Sequence, residues 1–329
     1  MKKTLIALAV LAASTASMAQ VTLYGVADVA VGASDKVVAG SAWGQANDKF
    51  QALANGSLTN GNSRFGMKGS EDLGGGLKAN FVLESSVNLA TGANQGSGGL
   101  LFSRNAYLQL AGGFGSITAG RQLNPTFFSL AAWELTGAAN YSVAANQFGG
   151  VVAGGFRDNA MVTYSTPKMG GFGVTAGFVP EGNAQFGTAV APKGKYDVTA
   201  TYAAGPLAAS VAYNKVDAGQ EGSMVGGAYN FGMFTVAASW SSAQTGAGVK
   251  LTEGYTVGAS MPMGPWTFTV DMAQDTISRA ANSTDTDVML EVKYSLSKRT
   301  TVYGVYIADG KGKTASDLNA YSLGLRHNF

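Results

Sequence analysis

The sequence predicts an all-β chain closed into a sixteen-stranded antiparallel transmembrane barrel. Three observations predict it. Apolar residues recur with period two along sixteen segments of the 329-residue chain. Short glycine-rich turns alternate with longer polar connectors, the asymmetry of a barrel that crosses a membrane. The face opposite the apolar row is Gly, Ser, Thr, Asn and scattered charge, which suits a water-filled lumen because buried hydroxyls and carboxylates without partners are costly.

Taken in order, Lys2 and Lys3 precede an apolar stretch from Leu5 to Ala13, and Ser17-Met18-Ala19 follows. This reads as a secretory leader, residues 1–19, cleaved after Ala19. A membrane anchor would need a run of about 20 apolar residues. Residues 20–329 are then the barrel domain. Without the two leader lysines, that domain carries twenty basic and twenty acidic side chains, so its formal charge is near zero. Cysteine is absent, which excludes a disulfide scaffold, a thiolate metal site and a cysteine nucleophile, and the single histidine makes a histidine relay improbable. No charge excess points to nucleic acid.

The first strand, 20–31, places Val21, Leu23, Gly25, Ala27 and Val29 on one face and Tyr24 and Asp28 on the other. Segments follow near 63–70, 77–88, 103–111, 116–122, 157–166, 172–180, 195–203, 207–216, 223–231, 234–243, 251–261, 266–274, 286–295, 301–308 and 319–329. Within them Phe172, Val174, Ala176 and Phe178, or Trp266, Phe268, Val270 and Met272, alternate with small or polar residues. Turns such as Glu71–Gly76, Gly112–Gly115 and Ala204-Gly205-Pro206 separate the strands on one side. On the other side lie connectors at about 32–62, 89–102, 123–156, 181–194, 217–222, 244–250, 275–285 and 309–318. A soluble sandwich would also alternate, but its inward face would be packed with large aliphatics.

The segments Val21–Asp28, Ser63–Gly74 and Gly113–Gln122 together resemble a Gram-negative general porin of the beta-proteobacterial type, and so does the terminal strand Tyr321–Phe329. In that strand Tyr321, Leu323, Leu325 and Phe329 match the signal that outer-membrane proteins present to their assembly machinery, with His327 departing from the usual pattern. The resemblance implies a homotrimer in the lipid and lipopolysaccharide of the outer membrane. It implies passive passage of ions and small hydrophilic solutes, no cofactor and no metal. It also implies that the third long connector, 123–156, folds into the lumen as a constriction. That connector carries Phe127, Phe128, Leu130, Trp133 and Leu135, which could pack it on a wall through a short helix, and Glu134 is its charge inside the loop proper.

Parity places Arg64, Lys68 and Arg157 in the lumen. The segment Ser103–Leu110 fits either phase, and the resemblance assigns Arg104 inward. Arg121 shares parity with Ile117 and Ala119, which turns it toward a neighbouring subunit. The acidic side of the constriction is expected from Asp28, Glu84 and the loop residue Glu134, with Tyr24 as a lumen aromatic. Because the basic residues outnumber the loop carboxylate, a modest preference for anions follows, which Asp197, Asp271, Asp287 and Glu291 would offset if they lay close. A barrel hydrolase is disfavoured because His327 takes the lipid-facing parity. A sugar-specific channel would need a ladder of aromatics, for which Tyr24 and Tyr107 are too few. An adhesin role through the long loops is compatible with a pore.

Overall fold

The structure, a computed structural model, describes residues 21–35, 50–95, 100–183, 187–188, 191–277, 285–311 and 318–329. The expected leader and parts of five connectors lie outside these residues. The sheet starts with β1 (Thr22–Ser34), a short β2 (Gln51–Leu53), β3 (Arg64–Gly74), β4 (Leu77–Ser86), β5 (Asn105–Gly112) and β6 (Gly115–Leu123). It continues with β7 (Arg157–Ser165) and β8 (Phe172–Val179), then, past the two-residue strands β9 (Gly187–Thr188) and β10 (Ala191–Pro192), with β11 (Lys195–Ala204) and β12 (Leu207–Val216). The remaining strands are β13 (Glu221–Asn230), β14 (Thr235–Gln244), β15 (Lys250–Met263), β16 (Trp266–Asp275), β17 (Asp285–Ser295), β18 (Thr300–Lys311) and β19 (Leu318–Asn328).

All neighbours run antiparallel, and β1 pairs with both β3 and β19, so sixteen long strands close a ring to which β2 adds three residues. Strand bounds agree with the period-two reading to within a few residues. Short turns sit at one end. In the β3–β4 turn Gly74, Gly75 and Gly76 all take positive φ (83°, 61° and 81°), which a side chain would resist. At the seam, Val26 to Ser34 pair with Asn328 to Ala320, and the Gly25 and Phe329 backbones exchange hydrogen bonds of 3.0 and 3.1 Å. The Phe329 ring lies across Gly25, where a Cβ would come within 2.3 Å of it.

The outward face is apolar and exposed, with Leu23, Leu108, Phe172, Trp240, Trp266 and Leu323 standing on it. The inward face buries Asp197, Thr199, Ser210, Thr256, Thr269 and Glu291 instead. The apolar core is therefore not made by the barrel wall alone. It forms where the third long connector lies inside the barrel: Leu130, Trp133, Tyr141, Val143 and Phe148 pack with wall residues Met224, Met289 and Ile307.

That connector holds two short helices. In α1 (Pro125–Ala131) the Asn124 side chain accepts from the Phe127 amide and Pro125 occupies the first turn, where no amide is needed. In α2 (Val143–Phe148) Ser142 accepts from the Ala145 amide at 3.2 Å. The wall makes room for the connector by omitting side chains. A Cβ on Gly226 would sit 2.4 Å from the Trp133 ring, on Gly222 2.0 Å from the Val151 carbonyl oxygen, and on Gly254 2.9 Å from the Phe148 ring. Polar ties fix it further: Asp197 accepts from the Thr126 amide at 3.0 Å and its hydroxyl at 2.8 Å, and Ser129 and Ser210 bond each other.

The first long connector, expected only as a polar link between strands, enters the barrel. After β2 extends the β1 edge, the chain turns into the barrel, so Leu58, Thr59 and Ser63 are fully buried and the Ser322 hydroxyl donates to the Leu58 carbonyl at 2.6 Å.

Candidate functional site

Three arginines meet on the barrel wall. Arg64 opens β3, Arg104 immediately precedes β5 and Arg157 opens β7. The Arg104 Nε donates to Glu84 Oε1 at 2.6 Å, the Arg64 Nε lies 3.6 Å from Glu84 Oε2, and the Arg157 Nε donates to the Arg104 carbonyl at 3.1 Å. Arg157 lies in the field of Arg104, Arg64 and Arg121 as well as of Glu84. The alternation that points Arg157 inward is interrupted on the way to it. Register slips between Gly120 and Gln122, where Ala160 takes a φ of 47°, so the side chain reaches the cluster from the first position of β7 across a bulge.

Glu84 corrects the expected division into basic and acidic sides. It stands inside the arginine group, accepting also from the Tyr24 hydroxyl at 2.9 Å and the Asn105 amide at 3.2 Å. Lys68 is a step nearer the short turns, its ammonium 5.3 Å from the centre of the Tyr24 ring.

Asp28 and Glu134 are likewise committed to structure. Asp28 is fully buried; its Oδ1 accepts from the Tyr303 hydroxyl at 2.6 Å and its Oδ2 from the Gly61 amide at 2.8 Å, so it fastens the inward turn of the first connector. Glu134 is 8% exposed and folds onto its own loop, accepting from the Thr136 amide and hydroxyl at 2.9 and 2.6 Å and the Ala138 amide at 2.6 Å. Asp271 lies in its field. Arg121 donates to the Ser103 carbonyl at 2.6 Å and to Asn159. Tyr321, Leu323, Leu325 and Phe329 are all exposed on the outward face, and the His327 ring meets the Thr300 hydroxyl at 2.9 Å.

Two contributors were not singled out in the sequence. Arg326 bonds Asn60 Oδ1 at 2.5 Å and lies in the field of Arg64, adding a fourth guanidinium to the wall; its parity, opposite Leu323 and Leu325, was the available signal. Asn60, at the tip of the inward turn, is the second. Its side chain donates to the Tyr141 hydroxyl at 2.6 Å and its amide to Tyr303 at 3.0 Å. Tyr141 in turn donates to Glu291 at 2.5 Å, and Glu291 also pairs with Lys293 at 2.8 Å. Burial and that carboxylate push the Tyr141 phenol up, which keeps it a proton donor. The inserted connector is thus gripped from two sides, by β11 and β12 through Asp197 and Ser210 and by the first connector through Asn60, which donates to Tyr141, and Asn62, which accepts from Asn140.

The arrangement is a barrel with the third long connector held inside it and a cluster of guanidinium groups on its wall. The Gram-negative porin family matches residues 4–314. The chain is 34% identical to outer membrane porin protein 32 of Delftia acidovorans, covering 99% of this chain and 94% of that one. It is 30% identical, over the full length of both, to an outer membrane porin protein of Bordetella pertussis. Among solved structures it is similar to an anion-selective porin from Comamonas acidovorans, with a TM-score of 0.77 and 26% identity over 94% of this chain and all of the other.

Proposed function

This chain belongs to the Gram-negative porin family and forms an outer-membrane β-barrel pore, and from that premise we propose that its guanidinium wall makes it a general diffusion channel with a modest preference for anions. The observation that carries the preference is the charge count of that cluster. Arg64, Arg104, Arg157 and Arg326 stand together, with Glu84 as the carboxylate bonded among the first three. The acids expected to balance them are spent elsewhere, Asp28 on Tyr303 and Gly61 and Glu134 on its own turn. Low-dielectric walls strengthen such a field on a passing ion.

The chain acts as a homotrimer, with the small outward residue Ala27 of β1 and the outward Arg121 at the contact. Residues 1–19 are the export leader. The outward row of β19 serves recognition by the assembly machinery. No catalytic role attaches to the barrel, whose histidine faces outward.

The test is the zero-current potential in planar bilayers under a salt gradient, comparing the mature protein with an Arg64→Ala, Arg157→Ala variant. Anion preference that collapses in the variant supports the wall. Cation preference indifferent to the variant discards it.

A further inference from the structure

On the short-turn side of the arginine wall, a lumen pocket of about 380 Å³ opens between β5–β8 and the exposed side of α1. Its lining includes Tyr107, Gln109, Thr118, Gln122, Thr163 and Phe128. We propose that this pocket is a weak, saturable subsite for neutral, hydroxyl-rich ring solutes of hexose size. The proposal rests on the pore reading above and names a solute class for it.

The polar part is a fixed comb. Gln109, Thr118 and Thr163 are direct cross-strand partners on β5, β6 and β7, so their groups repeat at the strand spacing of about 4.8 Å. They are ordered by bonds among themselves: Gln109 Nε2 donates to Thr118 Oγ1 at 3.0 Å and Thr163 Oγ1 to Gln122 Oε1 at 3.2 Å. Gln109 Oε1 also accepts from Asn80 and Gln122 Nε2 donates to the Thr118 and Met161 carbonyls, so the capacity left for a ligand is the second Nε2 proton of Gln109, the Thr118 hydroxyl proton and the spare lone pairs of Thr163.

The apolar part is Phe128, half exposed on the side of α1 that lines the pocket. Phe127 meets it edge-on at 5.8 Å and is itself held by Phe156 at 5.3 Å. The ties of Thr126 to Asp197 and Ser129 to Ser210 keep the helix under it from moving. A sugar ring offers a C–H face to such a platform and hydroxyls to such a comb, and little ordering is needed to receive it.

Charge argues for a neutral occupant. No carboxylate is among the lining residues, and Lys168 is the one cation. An anion gains far more from the arginine wall, one step away past Asn105, which lines the pocket and bonds Glu84.

The experiment adds glucose to mature protein in planar bilayers and reads open-channel current and its noise. A neutral polyether of similar size, which lacks donors, serves as the comparison. Support is a glucose-dependent current reduction that saturates, with excess noise, while the polyether effect stays linear. Phe128→Ala should raise the half-saturating concentration about tenfold, as expected for loss of an aromatic platform. Gln109→Leu and Thr163→Val, on strands remote from α1, should weaken it likewise, so the reasoning is testable even if Phe128→Ala disturbs the helix. Glucose acting only in proportion to viscosity overturns the subsite and leaves the pore. Saturation unchanged in all three variants overturns its placement. Absence of channel steps from folded wild-type protein would refute the pore reading, and the subsite with it.

Discussion

Replacing Glu84 by Gln removes one negative charge from the middle of the guanidinium wall while keeping the size of the side chain and its capacity to accept from Arg104 and Asn105. The carboxylate is 2.6 Å from the Arg104 Nε and 3.6 Å from the Arg64 Nε. An anion touching those groups passes roughly 6 Å from it, where removing a unit charge lowers the anion's energy by about 1 kcal/mol at an effective dielectric of about 50. Screening at 0.1 M salt, with a Debye length of about 10 Å, leaves roughly half of that. The anion-to-cation occupancy ratio at the wall therefore rises about sixfold, since the cation shifts the opposite way by a similar amount. The assay is the zero-current potential of single channels under a KCl gradient, measured around 0.1 M and again around 1 M. The expected result is a shift toward the chloride equilibrium potential at low salt that nearly vanishes at about 1 M, where the Debye length falls to about 3 Å. No shift at low salt, a shift toward potassium, or one of equal size at both concentrations would refute the placement of Glu84 at the conducting level.

Three further outcomes follow from the packing. Gly226→Val puts atoms where the Trp133 ring now lies, since even a Cβ would approach it to 2.4 Å; the inserted connector shifts into the lumen, thermal stability of the folded barrel falls by about 1–3 kcal/mol, and single-channel conductance drops. Tyr141→Phe strips the donor from Glu291 and the acceptor from Asn60, costs about 1–3 kcal/mol as buried groups lose partners, and shows as flickering current because one of the two grips on the connector is loosened. Gly25→Val meets the Phe329 ring at 2.3 Å and the Arg64 carbonyl oxygen at 2.6 Å, so the rate of barrel closure, followed by the heat-dependent gel shift of folded against unfolded chain, slows while secondary structure still forms.

The barrel was legible because a lipid-facing strand has little freedom: Leu23, Leu323 and Trp266 must point one way, and their neighbours then point the other. The apolar residues of the third connector marked it as a segment that packs on a wall, and its inward fold was what the porin resemblance implied. Convergence was not legible. Parity says that Glu84 points inward, but only the strand order places it beside Arg64 and Arg104 rather than opposite them. Arg157 arrives through a bulge that alternation cannot register. The turn around Asn60 is built of Asn, Gly, Ser and Thr, the composition of any solvated loop, and its descent into the barrel is decided by partners such as Tyr303 and Ser322, which lie more than two hundred residues away in sequence.

The joint between β1 and β19 gives the barrel an all-or-none character. Until β19 arrives, β1 and β18 are raw edges with a full row of unpaired amides and carbonyls, which is intolerable in hydrocarbon and adhesive in water. Sealing a ring of about three hundred residues costs about 3 kcal/mol more chain entropy than closing a fifteen-residue hairpin, and the pairs from Val26 to Ser34, together with the Gly25–Phe329 exchange, repay it only when formed together. The seam is thereby a length gauge. A copy truncated before β19, however well its hairpins form, exposes the same two sticky borders and stays recognisable to proteases as unfinished.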